Sequence, residues 1–236
     1  MFTFGSLFAG IGGFDLGFER AGMECKWQVE IDEYANRVLK KHWPDVRRHG
    51  DIKTFPPGEP DDWRVDCICG GFPCQDISYA GKGAGLDGER SGLFYEAVRI
   101  IRELEPRVVV LENVAALLTR GMDDVLGTLA SLGFDAEWDV LSAAAFGLPH
   151  YRERVFIVGF NRNHAGLRGW PTKSAIPRIE PNYSRIRAEE FMQDQPCMVG
   201  VDDGIPRYVD GRRGLGNAVV PQVAEWIGRR VVELLA

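Results

Sequence analysis

Cys74 stands in a stretch built to hold a side chain still. Residues 65–69 form an apolar run of strand length, and Gly70, Gly71 and Pro73 end it abruptly. Open α/β sheets gather ligands outside the carboxyl ends of their strands, and a cysteine on a rigid turn there is well placed to react. Residues 75–92 then bring Gly81, Gly83, Gly85, Gly88 and Gly92, a composition that suits a lid closing over a bound molecule. Together these features nominate Cys74 as a nucleophile. The competing reading is a buried structural cysteine, because a free thiol often packs as a small hydrophobe.

A second stretch could hold a ligand. Residues 2–8 read as a strand, followed by Ala9, Gly10, Ile11, Gly12 and Gly13 and a helix to about Ala21, with Gly22 at its end. Such a turn lets backbone approach a ligand beneath a helix N-terminus. Nucleotide, dinucleotide and S-adenosylmethionine binders all share it. Residues 26–29 form a second strand ending at Glu30, where a carboxylate would accept hydrogen bonds from a ribose. A helix follows from Ile31 to about His42, stopped before Pro44, and a short strand leads to Asp51 and Ile52. Capping of the helices after them is the alternative role for Glu30 and Asp51.

The remaining elements must position these residues. Residues 56–62 read as loop, and Ser91 caps a helix running to about Leu104. Residues 107–111 form a buried strand whose end carries Glu112, Asn113 and Val114. Helical stretches follow to about Leu132, then strands at 136–141 and 155–160 with a break at Leu148 and Pro149. Strands alternating with helices over residues 2–160 predict an α/β fold with a doubly wound, mostly parallel sheet. Residues 161–211 differ, with five prolines and little periodicity. Val219, Val220, Val223, Ile227, Val231 and Leu234 are spaced for a closing amphipathic helix.

Composition narrows the class. At 236 residues, 45% hydrophobic and 26% charged, the chain suits one large globular domain or one domain with a small appendage. It contains no apolar run of membrane-span length and no visible signal peptide, so a cytoplasmic protein without a membrane partner is expected. Five cysteines are an odd number in a long chain, and the spacing of Cys67, Cys69 and Cys74 suits no zinc site, so neither a disulfide framework nor a metal is expected. The net charge of −6 leans against nucleic acid as a partner. Its distribution leans the other way, since residues 150–187 carry eight Arg or Lys against Glu153 and Glu180.

Five motifs in order resemble the DNA cytosine-5 methyltransferase family. They are residues 8–13 (Phe-Ala-Gly-Ile-Gly-Gly), 71–75 (Gly-Phe-Pro-Cys-Gln), 112–114 (Glu-Asn-Val), 152–154 (Arg-Glu-Arg) and 216–221 (Gly-Asn-Ala-Val-Val-Pro). Each falls at its expected place in the strand–helix pattern, and the short middle looks most like compact phage and prophage members. The resemblance implies a Rossmann-like, S-adenosylmethionine-dependent fold. Its expected parts are a catalytic domain over 1–160, a small irregular target-recognition region over 161–211 and a C-terminal helix within 212–236 that returns to the catalytic domain.

The implied chemistry starts from a cytosine whose carbon 5 is too weak a nucleophile to attack a methyl sulfonium unaided. The Cys74 thiolate would add to carbon 6, and an ordinary thiol pKa of ~8.5 would need lowering for that step. Glu112 would protonate or hydrogen-bond ring nitrogen 3, Arg154 would contact the base carbonyl, Arg152 would support the catalytic loop, and Asn113 would orient these groups. By the same resemblance, Phe8, Gly10, Ile11 and Gly12 surround the methionine part of the cofactor and Glu30 and Ile31 hold ribose and adenine. Asp51 and Ile52 lie at the adenine edge, with Pro73, Leu93 and Asn217 completing the pocket. The target base would be flipped out of double-stranded DNA at a cost of a few kcal/mol. Gln75 and Ser78 would close over it, while Arg168, Lys173, Arg178 and Arg185 would contact DNA. A monomer is expected.

Three positions depart from the family pattern. His150 stands where Gln is usual, Ser6 stands where an acid is frequent, and the arginine-bearing helix before the last motif is not recognisable. Three other functions compete: a transfer-RNA cytosine methyltransferase, a non-catalytic binding paralogue, and a nicotinamide-dependent dehydrogenase. The paralogue conflicts with the presence of Cys74, Glu112 and Arg154 together. The dehydrogenase accounts only for the glycine turn and Glu30.

Overall fold

In the computed structural model, residues 1–73, 92–148, 151–164 and 218–236 are described. Seven strands form one sheet: β1 (Thr3–Leu7), β2 (Glu24–Val29), β3 (Arg47–His49), β4 (Cys67–Gly71), β5 (Val108–Val114), β6 (Phe134–Ser142) and β7 (Glu153–Asn161). Their order is β3-β2-β1-β4-β5-β7-β6. The pairings of β1 to β5 are parallel, whereas β7 runs antiparallel to both β5 and β6. The helices are α1 (Gly13–Arg20), α2 (Glu33–His42), α3 (Gly92–Leu104), α4 (Met122–Ser131) and α5 (Pro221–Leu235).

The apolar runs in the sequence have this arrangement as their cause. Strands covered on both faces need apolar side chains on both. Ile68, Val109 and Leu111 point into a core shared with Ile100 and Leu104 of α3 and Val125 and Leu129 of α4. Their neighbours Cys67, Cys69, Val108 and Val110 point the other way, into a core with Phe14 and Phe18 of α1 and Val223, Ile227 and Val231 of α5. The sheet is therefore doubly wound, as the alternation of elements predicts. The C-terminal helix returns to the first helix across a close contact. A Cβ on Gly17 would come within 2.6 Å of the Pro221 carbonyl oxygen, so only glycine lets the helices meet there.

Several boundaries differ from the sequence reading. Strand β5 does not end before Glu112 but continues through Val114, because β7 pairs Glu112 with Phe156, Asn113 with Val155 and Val114 with Arg154. Helix α2 begins at Glu33 rather than Ile31, because Asp32 is its N-cap and accepts from the Ala35 N–H at 2.8 Å. Within the expected loop, Pro60–Trp63 forms a 3-10 turn. His49 lies 2.8 Å from the Thr54 hydroxyl through Nε2. Gly22 terminates α1 as expected, at φ 88°, with its N–H and that of Met23 reaching back to Glu19 and Phe18 carbonyls. No helix among the described residues is long and apolar enough to cross a membrane.

Candidate active site

The carboxyl ends of β1 to β5 point the same way, and the antiparallel β7 brings its first residues to that edge. The turn after β1, the turn after β2, the end of β4, the end of β5 and the start of β7 thus meet along one side of the sheet.

The β1 turn is shaped by backbone geometry. Gly10 and Gly12 hold φ of 56° and 90°, and Phe8 accepts the same left-handed region at 51°. Gly12 then caps α1. Glu30 ties this turn to the next: its Oε2 accepts from the Gly10 N–H at 2.7 Å and its Oε1 from the Asp32 N–H at 2.7 Å. Each carboxylate oxygen has a further lone pair, so Glu30 can still accept hydroxyl donors. Ile31, beside it, is 73% exposed, an apolar face at the mouth of the turn. Ile11 is buried against Ala35 and Val38 of α2, and Leu93 packs at the margin of the larger core. Pro73 is exposed.

Asp51 and Ile52 sit differently from one another. The Asp51 carboxylate accepts from the Lys53 N–H at 2.9 Å, which is the capping role weighed from sequence. Ile52 buries its side chain in the core. Its carbonyl, and that of Phe55, accept from Arg99 Nη2 at 3.0 and 2.6 Å, while Glu96 and Glu103 hold the other side of that guanidinium. Only backbone of Ile52 is left to face a ligand.

The second group of residues gathers around Glu112, which is buried on β5. Arg154 Nε lies 3.1 Å from its Oε1, at ion-pair distance but outside hydrogen-bond alignment, since that oxygen has no hydrogen-bond partner. Burial pushes the Glu112 pKa up, against the opposing charges of Arg154 and then Arg152. Arg152 is itself desolvated and repelled by Arg154, which lowers its pKa. Gly71 pairs with Glu112 across β4 and β5, and a Cβ there would stand 2.8 Å from Oε2. Asn113 is buried and donates from Nδ2 to the Phe72 carbonyl at 3.0 Å. It locks the turn immediately before Cys74 to the end of β5.

The structure therefore brings Glu112, Asn113, Arg152 and Arg154 together, and separately gathers Phe8, Gly10, Ile11, Gly12, Glu30 and Ile31. Cys74, Gln75, Ser78, His150, Asn217, Arg168, Lys173, Arg178 and Arg185 lie outside the described residues.

Sequence reasoning missed Asp15, which is fully buried on α1. It accepts from Ser6 Oγ at 3.1 Å, Gln28 Nε2 at 2.8 Å and Cys25 Sγ at 3.5 Å. The available signal was an acid between Phe14 and Phe18 on the apolar side of a short helix. Ser6 also acquires a role, as one donor to this carboxylate.

A family model for C-5 cytosine-specific DNA methylase matches residues 2–196. The type II methyltransferase M.BsuFI of Bacillus subtilis is 33% identical over 226 residues, covering 89% of this chain and 53% of that protein. M.HpaII of Haemophilus parainfluenzae is 38% identical over 200 residues, covering 80% and 54%. The chain spans about half the length of the curated relatives it matches. Among solved structures, a chain assigned as a DNA modification methyltransferase from an E. coli prophage aligns at TM-score 0.57 and 26% identity, covering 69% of this chain and 47% of that one. Spodoptera frugiperda DNMT2 aligns at TM-score 0.59 and 23% identity, over 73% and 53%, and shares the fold.

Proposed function

Because the chain belongs to the C-5 cytosine-specific DNA methylase family, we propose that it methylates carbon 5 of a cytosine in double-stranded DNA, with S-adenosylmethionine as donor. The observation that carries this reading is Glu112, a buried carboxylate with a raised pKa, facing Arg154 at the sheet edge where the chain turns toward Cys74.

The residues around the β1 turn fit the donor. The left-handed glycines let backbone come close, Glu30 keeps acceptor capacity for ribose hydroxyls, and exposed Ile31 offers an apolar surface for an adenine ring. When bound, S-adenosylmethionine supplies an electrophilic methyl group. Phe8, Gly10, Ile11 and Gly12 would hold its amino-acid part, and Asp51, the Ile52 backbone, Pro73, Leu93 and Asn217 the rest.

The protein's own groups account for activating the base. Cys74 forms a bond from Sγ to carbon 6, which places an electron pair on carbon 5. Glu112, whose pKa burial raises, gives a hydrogen bond or proton to nitrogen 3 and stabilises that charge. Arg154 contacts the base carbonyl and opposes full neutralisation of Glu112. Asn113 ties Phe72, two residues before Cys74 in the chain, to the strand that carries Glu112. Carbon 5 takes the methyl group as its bond to the donor's sulfur breaks; the carbon 5 proton then leaves to water, nitrogen 3 returns its proton to Glu112, and the bond to Cys74 breaks with its electron pair to restore the thiolate.

We assign the basic residues Arg168, Lys173, Arg178 and Arg185 to DNA contact, within a target-recognition region over 161–211, and Gln75 and Ser78 to the base-covering flap. Bisulfite sequencing of plasmid DNA from cells expressing the chain tests the proposal. Protected cytosines in one short sequence context are expected. Complete conversion of every cytosine, with the protein present and folded, would sink it.

A further inference from the structure

Asp15 takes no part in the chemistry above, yet it is the most buried carboxylate near the β1 turn. A purely structural node could use asparagine, whose amide oxygen also accepts from Gln28 and whose NH2 can donate to a rotated Ser6 hydroxyl. The acid is instead held where burial pushes its pKa up to about 6. Strongly perturbed carboxylates concentrate at functional sites, which directs attention to what this one holds.

Its contacts lead around the glycine turn. Because an ionised carboxylate only accepts, Ser6, Gln28 and Cys25 must all donate to it. The Gln28 amide is thereby oriented with Oε1 toward Arg48, whose Nη1 approaches it at 3.3 Å. The same Arg48 nitrogen donates to the Trp43 carbonyl at 2.5 Å. The Trp43 ring lies against Gly12, where a Cβ would collide with it. The path has left α1 at Asp15 and come back to it at its N-cap, Gly12. Gln28 also sits two residues before Glu30, the carboxylate that holds the Gly10 N–H.

We propose that Asp15 is a positioning residue for the cofactor cleft: with Gln28, Arg48 and Trp43 it closes a ring of contacts around residues 9–12 and sets that turn against Glu30. This rests on the reading of the turn as the S-adenosylmethionine site. Charged and titratable groups facing the carboxylate are Cys25 on β2, Cys69 on β4 and, through Gln28, Arg48 on β3.

The test compares Asp15→Ala, Asp15→Asn and Arg48→Met with the parent protein. Arg48→Met opens the ring from its partly exposed side, so it covers the case in which Asp15→Ala does not fold. Titration calorimetry with S-adenosylmethionine should give at least tenfold weaker affinity for Asp15→Ala and at least threefold for Arg48→Met, at unchanged stoichiometry. Asp15→Asn should recover part of the loss. Loss of fold alone would lower stoichiometry rather than affinity. Hydrogen exchange of the Gly10 and Gly12 amides in the free protein should quicken at least fivefold in Asp15→Ala and Arg48→Met. Parental affinity and parental exchange in the folded variants would overturn the inference. If the parent binds no S-adenosylmethionine, the site assignment fails, and the exchange measurement alone decides whether the ring holds the turn.

Discussion

Glu112 and Arg154 meet diagonally across two antiparallel strands. Glu112 on β5 is opposite Phe156 of β7, two residues from Arg154, so both side chains fall on one face. The 3.1 Å approach of Arg154 Nε to Glu112 Oε1 places a cation beside a carboxylate that burial drives toward its protonated form. Burial raises the Glu112 pKa, and the charge of Arg154 opposes that rise.

Replacing Glu112 by Gln should therefore lower methyl transfer by about 10²–10⁴-fold, the usual worth of a positioned acid. Cofactor affinity should stay within threefold, because Glu112 touches none of the residues around Gly10 and Glu30. Single-turnover assays at saturating cofactor would read this, and a loss confined to cofactor affinity would contradict the assignment.

Gly71→Ala tests the same carboxylate from the other side. The added methyl would stand 2.8 Å from Glu112 Oε2 and must displace it. Turnover should fall at least tenfold while the melting temperature drops only a few degrees. A variant as active as the parent would mean that the carboxylate position is unimportant.

Cys74→Ala should abolish methyl transfer while leaving cofactor binding nearly intact. With 5-fluorocytosine in the target DNA, the fluorine cannot leave as a proton does, so a covalent adduct should accumulate. A denaturation-resistant complex is expected with the parent and not with the alanine variant; turnover of the variant within tenfold of the parent would rule out the nucleophile.

The Asp15 carboxyl carries a stability signature. Its folded pKa of about 6 lies above its ordinary 3.8, so its contribution is present at low pH and lost as pH rises between those values. That gap corresponds to on the order of 3 kcal/mol. Relative to Asp15→Asn, the parent should lose about that much stability between pH 4 and pH 7 in denaturant titrations. A pH-independent difference between the two proteins would contradict the buried ionisation.

The basic segment predicts salt-sensitive DNA binding. Charge-neutral replacement of Arg168, Lys173, Arg178 and Arg185 together should weaken binding and flatten its dependence on salt, because fewer counterions are released. An arginine bidentate to guanine would instead cost about 1–3 kcal/mol and relax one position of the site. Parental affinity, salt slope and methylation pattern would show that the reader lies elsewhere.

Glycine turns, apolar runs and the five ordered motifs are local features, and the sequence by itself determined the doubly wound class, the glycine turn and the family-matching residue types at 112–114 and 152–154. It could not place Glu112 inside β5, because the strand is extended through Val114 by pairing with β7, some forty residues further along the chain. Nor could it show that the Asp51 carboxylate caps the turn after it, a role seen only in its bond to the Lys53 N–H. Asp15 shows the limit most clearly. An acid between Phe14 and Phe18 points to the apolar side of a short helix but not to its partners, since Ser6, Gln28 and Cys25 arrive from two strands. Whether such a carboxylate is solvated or desolvated depends on what the tertiary structure packs around it, and that packing sets its pKa and its partners.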